Sequence, residues 1–114
     1  KVADLILGHG TIHCDFSSPE VPGVYTFLLC VDEITEVNGA INIWRESKYT
    51  PHHNKTPTRG LAGLDVQTLL GPTKTVFVWD SRLLHQPLPN TSPFARRVLI
   101  WLVNSKSKPC VVNF

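Results

Sequence analysis

Residues 75–104 have the sequence TVFVWDSRLLHQPLPNTSPFARRVLIWLVN. The two ends of this stretch, 75–79 and 96–104, are rich in β-branched, aromatic and leucine side chains, which favour extended chain. Between them, 87–95 contains three prolines together with Asn, Thr and Ser, a composition typical of turns. The stretch therefore predicts strands at its two ends, separated by an irregular connection.

The same alternation of apolar runs and turn formers continues outward in both directions. Eight segments are strand candidates, and they are 2–7, 11–16, 24–31, 40–44, 66–70, 75–79, 96–104 and 110–114. Nine prolines and seven glycines leave few windows long enough for a helix. Short strands at this spacing are typical of an antiparallel sandwich or barrel. A length of 114 residues suits one domain, so we predict a single mainly β domain over 1–114.

Two connections have distinct patterns. Asn38-Gly39 predicts a tight reversal, because both residues adopt positive φ at low cost. In contrast, 45–63 is the longest stretch without periodic apolar residues. Loops of that length in compact domains are often functional, and we expect this one to contribute to substrate specificity.

The composition narrows the classes of function. Hydrophobic residues make up 42% and charged residues 18%, which is typical of a globular protein. The net charge of +2 comes from scattered basic residues, so we expect no nucleic-acid partner. No apolar run approaches the roughly 20 residues of a membrane-spanning helix, and we expect no membrane partner. Three cysteines, Cys14, Cys30 and Cys110, are an odd number that favours free thiols and a cytoplasmic location.

A metal site is indicated by His13, Asp15 and His85. His13 and Asp15 are two positions apart in a strand candidate, so their side chains project to the same face. His85 follows the predicted strand 75–79 and precedes a proline-rich turn. Two histidines and one carboxylate form the ligand set of non-haem Fe(II) oxygenases, which leaves three positions open. A His-x-Asp pair also arises by chance, so the pair alone has the alternative interpretation of an ordinary strand.

Arg96 and Arg97 begin the otherwise apolar predicted strand 96–104, and arginine is seldom buried without a partner. A planar guanidinium binds a carboxylate through two hydrogen bonds, so one of these residues could anchor an anionic co-substrate. The alternative is an arginine at the exposed end of the strand, paired with a surface acid. Both faces of the strand are apolar, so residue parity does not choose between Arg96 and Arg97.

The order and spacing of these motifs resemble the phytanoyl-CoA dioxygenase family of Fe(II)- and 2-oxoglutarate-dependent oxygenases. The matching features span most of the chain, and they are His13-x-Asp15, Thr35-Glu36-Val37-Asn38-Gly39-Ala40, and His85 with Asn90-Thr91-Ser92-Pro93-Phe94-Ala95-Arg96. The fold of that family is a double-stranded β-helix, a cupin-like jelly-roll of eight strands in two sheets. The resemblance therefore implies this fold for the present chain.

The resemblance also implies an activity and roles for individual residues. His13, Asp15 and His85 would bind Fe(II), and Arg96, eleven positions after His85, would bind the distal carboxylate of 2-oxoglutarate. With O2 as the oxidant, the implied reaction hydroxylates a small organic substrate and releases succinate and CO2. We further expect a monomer, and a core that lacks the N-terminal flanking region common in the family.

A second function remains open. The chain has Trp44-Arg45-Glu46-Ser47-Lys48 where the family often has Pro-Gly-Ser-His, so substrate contacts do not transfer there. Cys14 and Pro87 stand where the family often has polar or hydroxyl residues, so secondary contacts to 2-oxoglutarate do not transfer either. These departures favour a non-catalytic cupin-like domain that binds a metal or a small molecule. Turnover of 2-oxoglutarate to succinate distinguishes the two functions.

Overall fold

The fold is mainly β. The computed structural model describes residues 12–15, 23–47 and 63–105. These residues form six strands and no α-helix, and the strands are β1 (Val24–Cys30), β2 (Ile41–Trp44), β3 (Val66–Leu69), β4 (Val76–Asp80), β5 (His85–Pro87) and β6 (Val98–Asn104). Accordingly, no helix in this part of the chain is long and apolar enough to cross a membrane.

The strands form two antiparallel sheets. One has the order β4-β1-β6 and the other the order β3-β2-β5. Along the chain, β1 lies in the first sheet, β2 and β3 in the second, and β4, β5 and β6 alternate between them. This winding back and forth is that of a jelly-roll, and the predicted mainly β, cupin-like fold class is confirmed.

Five of the predicted strands correspond to β1, β2, β3, β4 and β6, with shifts of one or two residues at their ends. The predicted strand 11–16 is described only at 12–15, where His13 makes an isolated bridge to His85. The candidates 2–7 and 110–114 lie outside the described residues. The sequence did not predict β5, which is only three residues long and ends in a proline.

The core lies between the two sheets. Alternate residues of β1 point inward and are buried, namely Val24, Thr26, Leu28 and Cys30. They face buried side chains of the second sheet, and the main cluster comprises Leu28, Cys30, Ile34, Ala40, Ile41, Ile43, Leu69 and Trp79. Thr26 is the one polar member of the inward row on β1, and it has no exposed surface. A buried hydroxyl requires hydrogen-bond partners, which it finds at the site described next.

Candidate metal centre

A backbone bridge brings the two candidate histidines together. The N–H of His13 donates to the carbonyl of His85 at 3.0 Å, and the N–H of His85 donates to the carbonyl of His13 at 2.8 Å. Residues directly opposite each other in an antiparallel pair project to the same face. The two imidazole rings accordingly lie side by side, with centroids 4.3 Å apart.

Asp15 lies on the same face as His13, as the two-residue spacing predicts. Its Oδ1 is 3.7 Å from Nε2 of His13 and 3.5 Å from Nε2 of His85. One ligand atom from each of the three residues lies within 4.8 Å of the others. Nitrogen and oxygen ligands about 2.1 Å from one ion lie about 3–3.5 Å apart. The cluster therefore has the donor types and nearly the spacing required to hold a metal ion.

The intervening residue, Cys14, is buried on the other side of this segment. It packs with Leu84, and the partly buried Ile12, Trp44 and Leu64 surround the pair. This second apolar cluster fixes the short segment 12–15 against the chain that leads into β5. Packing on one face thus orients His13 and Asp15 on the other.

The environment of His85 favours a neutral ring with a free lone pair on Nε2. Burial lowers the pKa of the His85 imidazole, an effect larger than the opposing one of the Asp15 carboxylate. Nδ1 lies 3.2 Å from the carbonyl oxygen of Leu83, which accepts a hydrogen bond in the tautomer protonated at Nδ1. That tautomer leaves the lone pair of Nε2 directed toward Asp15, as a metal ligand requires.

The second carboxylate oxygen of Asp15 is held from the opposite sheet. Thr26 on β1 donates from Oγ1 to Oδ2 of Asp15 at 2.7 Å. The Oγ of Ser81, just after β4, lies 2.7 Å from the same threonine oxygen. Oδ2 is therefore engaged, and Oδ1 is the oxygen beside the two imidazoles. The sequence analysis missed Thr26 and Ser81, because they meet Asp15 only through the pairing of three distant segments.

The register of β6 places Arg96 and Arg97 on opposite faces of the sheet. Val98 pairs with Cys30, an inward residue of β1, so the even-numbered positions of β6 face inward. Arg96 continues this inward row, whereas Arg97 points outward. Arg97 donates three hydrogen bonds to the Asp32 carboxylate, at 2.9 Å through Nε, 2.8 Å through Nη2 and 2.7 Å through its backbone N–H. These bonds lower the pKa of Asp32 to about 2.

The guanidinium of Arg96 differs, because two of its three nitrogens lack such a partner among the described residues. Its Nε and Nη1 are buried and have no hydrogen-bond acceptor in the described part of the chain. Burial raises the pKa of the nearby Cys30 thiol, so this thiol stays neutral around pH 7 and does not balance the charge. Gly39, at a φ of 99°, lies against the guanidinium, and a Cβ there would be 3.1 Å from Nε of Arg96. The buried donors and the absence of a side chain at Gly39 are suited to an anionic ligand.

A cavity adjoins the cluster through Trp79. The indole ring lies 5.3 Å from the ring of His85, measured between centroids. Trp79 also lines a cavity of about 400 Å³ whose walls include Ile43, Leu69, Phe77 and Leu83 and whose rim includes Arg45 and Glu46. The cavity is thus small, has both apolar and polar lining residues, and is connected to the cluster through Trp79.

These features define a jelly-roll domain with a two-histidine, one-carboxylate cluster between its sheets. The crystal structure of EvdMO1 is similar to this chain, with a TM-score of 0.69 at 23% sequence identity. The similarity covers 87% of this chain and 24% of EvdMO1, so the chain spans about a quarter of that protein's length. It supports the fold alone. No protein-family model and no curated protein matches the chain, and its membership of the phytanoyl-CoA dioxygenase family stays a prediction.

Proposed function

We propose that this chain is the core of an Fe(II)- and 2-oxoglutarate-dependent oxygenase that hydroxylates a small organic substrate. The observation that carries this proposal is the convergence of His13, Asp15 and His85, whose ligand atoms lie within 4.8 Å of one another. Two imidazoles and one carboxylate are the donor set of non-haem Fe(II) oxygenases, and they leave coordination positions for other ligands.

Each residue of the cluster would supply one ligand atom to the metal ion. His13 and His85 each offer a ring nitrogen, and Asp15 offers Oδ1 with one negative charge. When bound there, Fe(II) would supply the activation of O2, coupled to the oxidative decarboxylation of 2-oxoglutarate to succinate and CO2 and to hydroxylation of the substrate. The protein orients these ligands through the bridge between His13 and His85 and through the hydrogen bond from Thr26.

Arg96 supports the assignment of 2-oxoglutarate as co-substrate. A buried cation with unsatisfied donors is costly, and a carboxylate is the ligand that satisfies both its charge and its fork of N–H groups. In this proposal the distal carboxylate of 2-oxoglutarate binds Arg96 beside Gly39. Arg97 has no part in it, because Asp32 already occupies its donors at the surface.

The class of substrate follows from the cavity lined by Trp79. A volume of about 400 Å³ with both apolar and polar lining residues accommodates a small organic molecule. Trp79 contacts His85, so a molecule in this cavity would lie one aromatic ring away from the candidate metal centre. Arg45 and Glu46 at the rim add polar contacts for the part of the substrate nearest to solvent.

The test is anaerobic reconstitution with Fe(II) and 2-oxoglutarate, followed by succinate measurement after O2 is admitted. We expect a weak visible charge-transfer band and release of succinate from the wild-type protein. Asp15→Ala should lose both signals. Arg96→Gln should lose the charge-transfer band and succinate release at 2-oxoglutarate concentrations that saturate the wild-type protein, whereas the matched control Arg97→Gln should keep both. Metal binding without any succinate would refute the proposal in favour of a non-catalytic cupin-like binding domain.

A further inference from the structure

Asp15 is linked to two buried hydroxyl groups that the proposed reaction does not use. Thr26 Oγ1 lies 2.7 Å from Oδ2 of Asp15, and Ser81 Oγ lies 2.7 Å from Thr26 Oγ1. Thr26 and Ser81 have no exposed surface, and Asp15 is 5% exposed. Water therefore has little access to these hydrogen bonds, which join three segments distant in sequence.

The hydrogen bonds that link Ser81, Thr26 and Asp15 have one consistent assignment of donors and acceptors. An ionised carboxylate only accepts hydrogen bonds, so the single hydroxyl proton of Thr26 is directed to Asp15. Ser81 must then donate its own proton to the oxygen of Thr26. Successive hydrogen bonds of the same polarity strengthen one another, and a bond to a charged acceptor is stronger than a neutral one. The arrangement holds Oδ2 of Asp15 firmly.

The position of Thr26 on β1 is one where an apolar side chain would otherwise be expected. Its inward neighbours on the strand are Val24 and Leu28, both buried. A hydroxyl in this row is unfavourable unless it is fully hydrogen-bonded. Ser81 is fixed in turn, since its backbone N–H donates to the carbonyl of Val24 at 2.9 Å. The sheet β4-β1-β6 thus presents a rigid donor to a carboxylate that lies beside the second sheet.

We propose that Thr26 and Ser81 are positioning residues that make Asp15 a ligand through one oxygen only. This inference rests on the metal centre of the proposed function. With Oδ2 engaged by Thr26, Asp15 offers only Oδ1 to an ion, and a position that a two-oxygen carboxylate would fill stays available to co-substrate. Without the hydroxyl, the carboxylate rotates and binds the ion less firmly or with both oxygens.

The test is titration of the metal-free protein with Co(II), whose visible absorption reports both affinity and coordination number. Thr26→Val keeps the shape of the side chain and removes the donor, and we expect Co(II) affinity to fall about 10–100-fold, with an altered absorption spectrum. Thr26→Ser keeps the hydroxyl and should restore affinity to within about threefold of wild type. Ser81→Ala removes only the remote hydroxyl and should weaken binding by a smaller factor, about threefold.

The matched control is Thr68→Val. Thr68 lies on β3 and donates to Oδ1 of Asn42 at 2.7 Å, a solvent-exposed hydrogen bond that does not involve Asp15. It should leave Co(II) binding unchanged, and circular dichroism establishes folding for every variant. If Thr26→Val does not fold, Ser81→Ala decides the question, and a Co(II) affinity and spectrum equal to those of the wild-type protein would refute the positioning role.

The outcomes separate the two proposals. Absence of Co(II) binding by the wild-type protein would overturn the metal centre and this inference with it. If the wild-type protein binds Co(II), and neither the Thr26 variants nor Ser81→Ala changes affinity or spectrum, only the positioning role is refuted. A loss in Thr26→Val that Thr26→Ser does not recover would also contradict it, because the hydroxyl would then be irrelevant.

Discussion

Arg96 is proposed to bind 2-oxoglutarate, whereas its buried and unpaired donors should destabilise the ligand-free protein. Replacement of Arg96 therefore tests the proposal through two opposite effects on stability. Nε and Nη1 are buried without partners among the described residues. Each unsatisfied buried donor costs about 1–3 kcal/mol, so Arg96→Met, which retains an apolar stem, should stabilise the ligand-free protein by about 2 kcal/mol. At about 2.1 cal/mol/K of unfolding entropy per residue, a chain of 114 residues gains about 4 °C in Tm per kcal/mol, hence about 8 °C.

Thermal unfolding with and without 2-oxoglutarate, on anaerobic metal-loaded protein, measures both effects. The wild-type protein should gain about 2.7 kcal/mol at a ligand concentration 100 times Kd, whereas Arg96→Met should gain none. Arg97→Met is the matched control. It loses the exposed ion pair with Asp32 and should keep the response to 2-oxoglutarate. A ligand-free Arg96→Met protein that is less stable than wild type and still responds to 2-oxoglutarate would refute the reasoning.

Three further predictions concern the fold around the site. Arg97 depresses the pKa of Asp32 from 3.8 to about 2, so this pair stabilises the fold above pH 4 and the stabilisation is lost as pH falls toward 2. Asp32→Asn should therefore flatten the stability profile measured by denaturant unfolding over this range, and an unchanged slope would contradict the assignment. Gly39→Ala should destabilise the protein and weaken 2-oxoglutarate binding, because φ is 99° and the new Cβ meets the anchor guanidinium at 3.1 Å. Calorimetry and ligand titration check both effects, and normal values for both would argue against the anchor. Leu28→Ala removes a fully buried core side chain and should cost about 2–5 kcal/mol in urea unfolding. Leu99→Ala, at a position 57% exposed on the outer face, should change stability by less than about 0.5 kcal/mol, and equal losses for the two leucines would place the core elsewhere.

The sequence was informative where a local pattern sets the outcome. A segment rich in apolar and aromatic residues between turn formers predicted β1, and the two-residue spacing of His13 and Asp15 predicted a shared face. The strand β5 was missed because three residues ending in Pro87 carry no periodic signal. Short segments of this kind become strands only when a partner strand is already in place.

Features that depend on register could not be read from the sequence. The choice between Arg96 and Arg97 required the pairing of Val98 with Cys30, since both faces of that strand are apolar. The contact between Thr26 and Ser81 joins residues 55 positions apart, and the one between Thr26 and Asp15 joins residues 11 positions apart. Such contacts have no local signature, because the winding of the two sheets creates them.

The bridge between His13 and His85 should open before the two sheets separate. Among the described residues it is isolated and consists of two backbone hydrogen bonds, whereas β1 is paired along most of its length on both sides. Separation of the segment 12–15 from β5 would dismantle the ligand cluster while both sheets persist. A bound ion would oppose this partial opening, so amide exchange at His13 should slow on metal loading far more than exchange in the centre of β1.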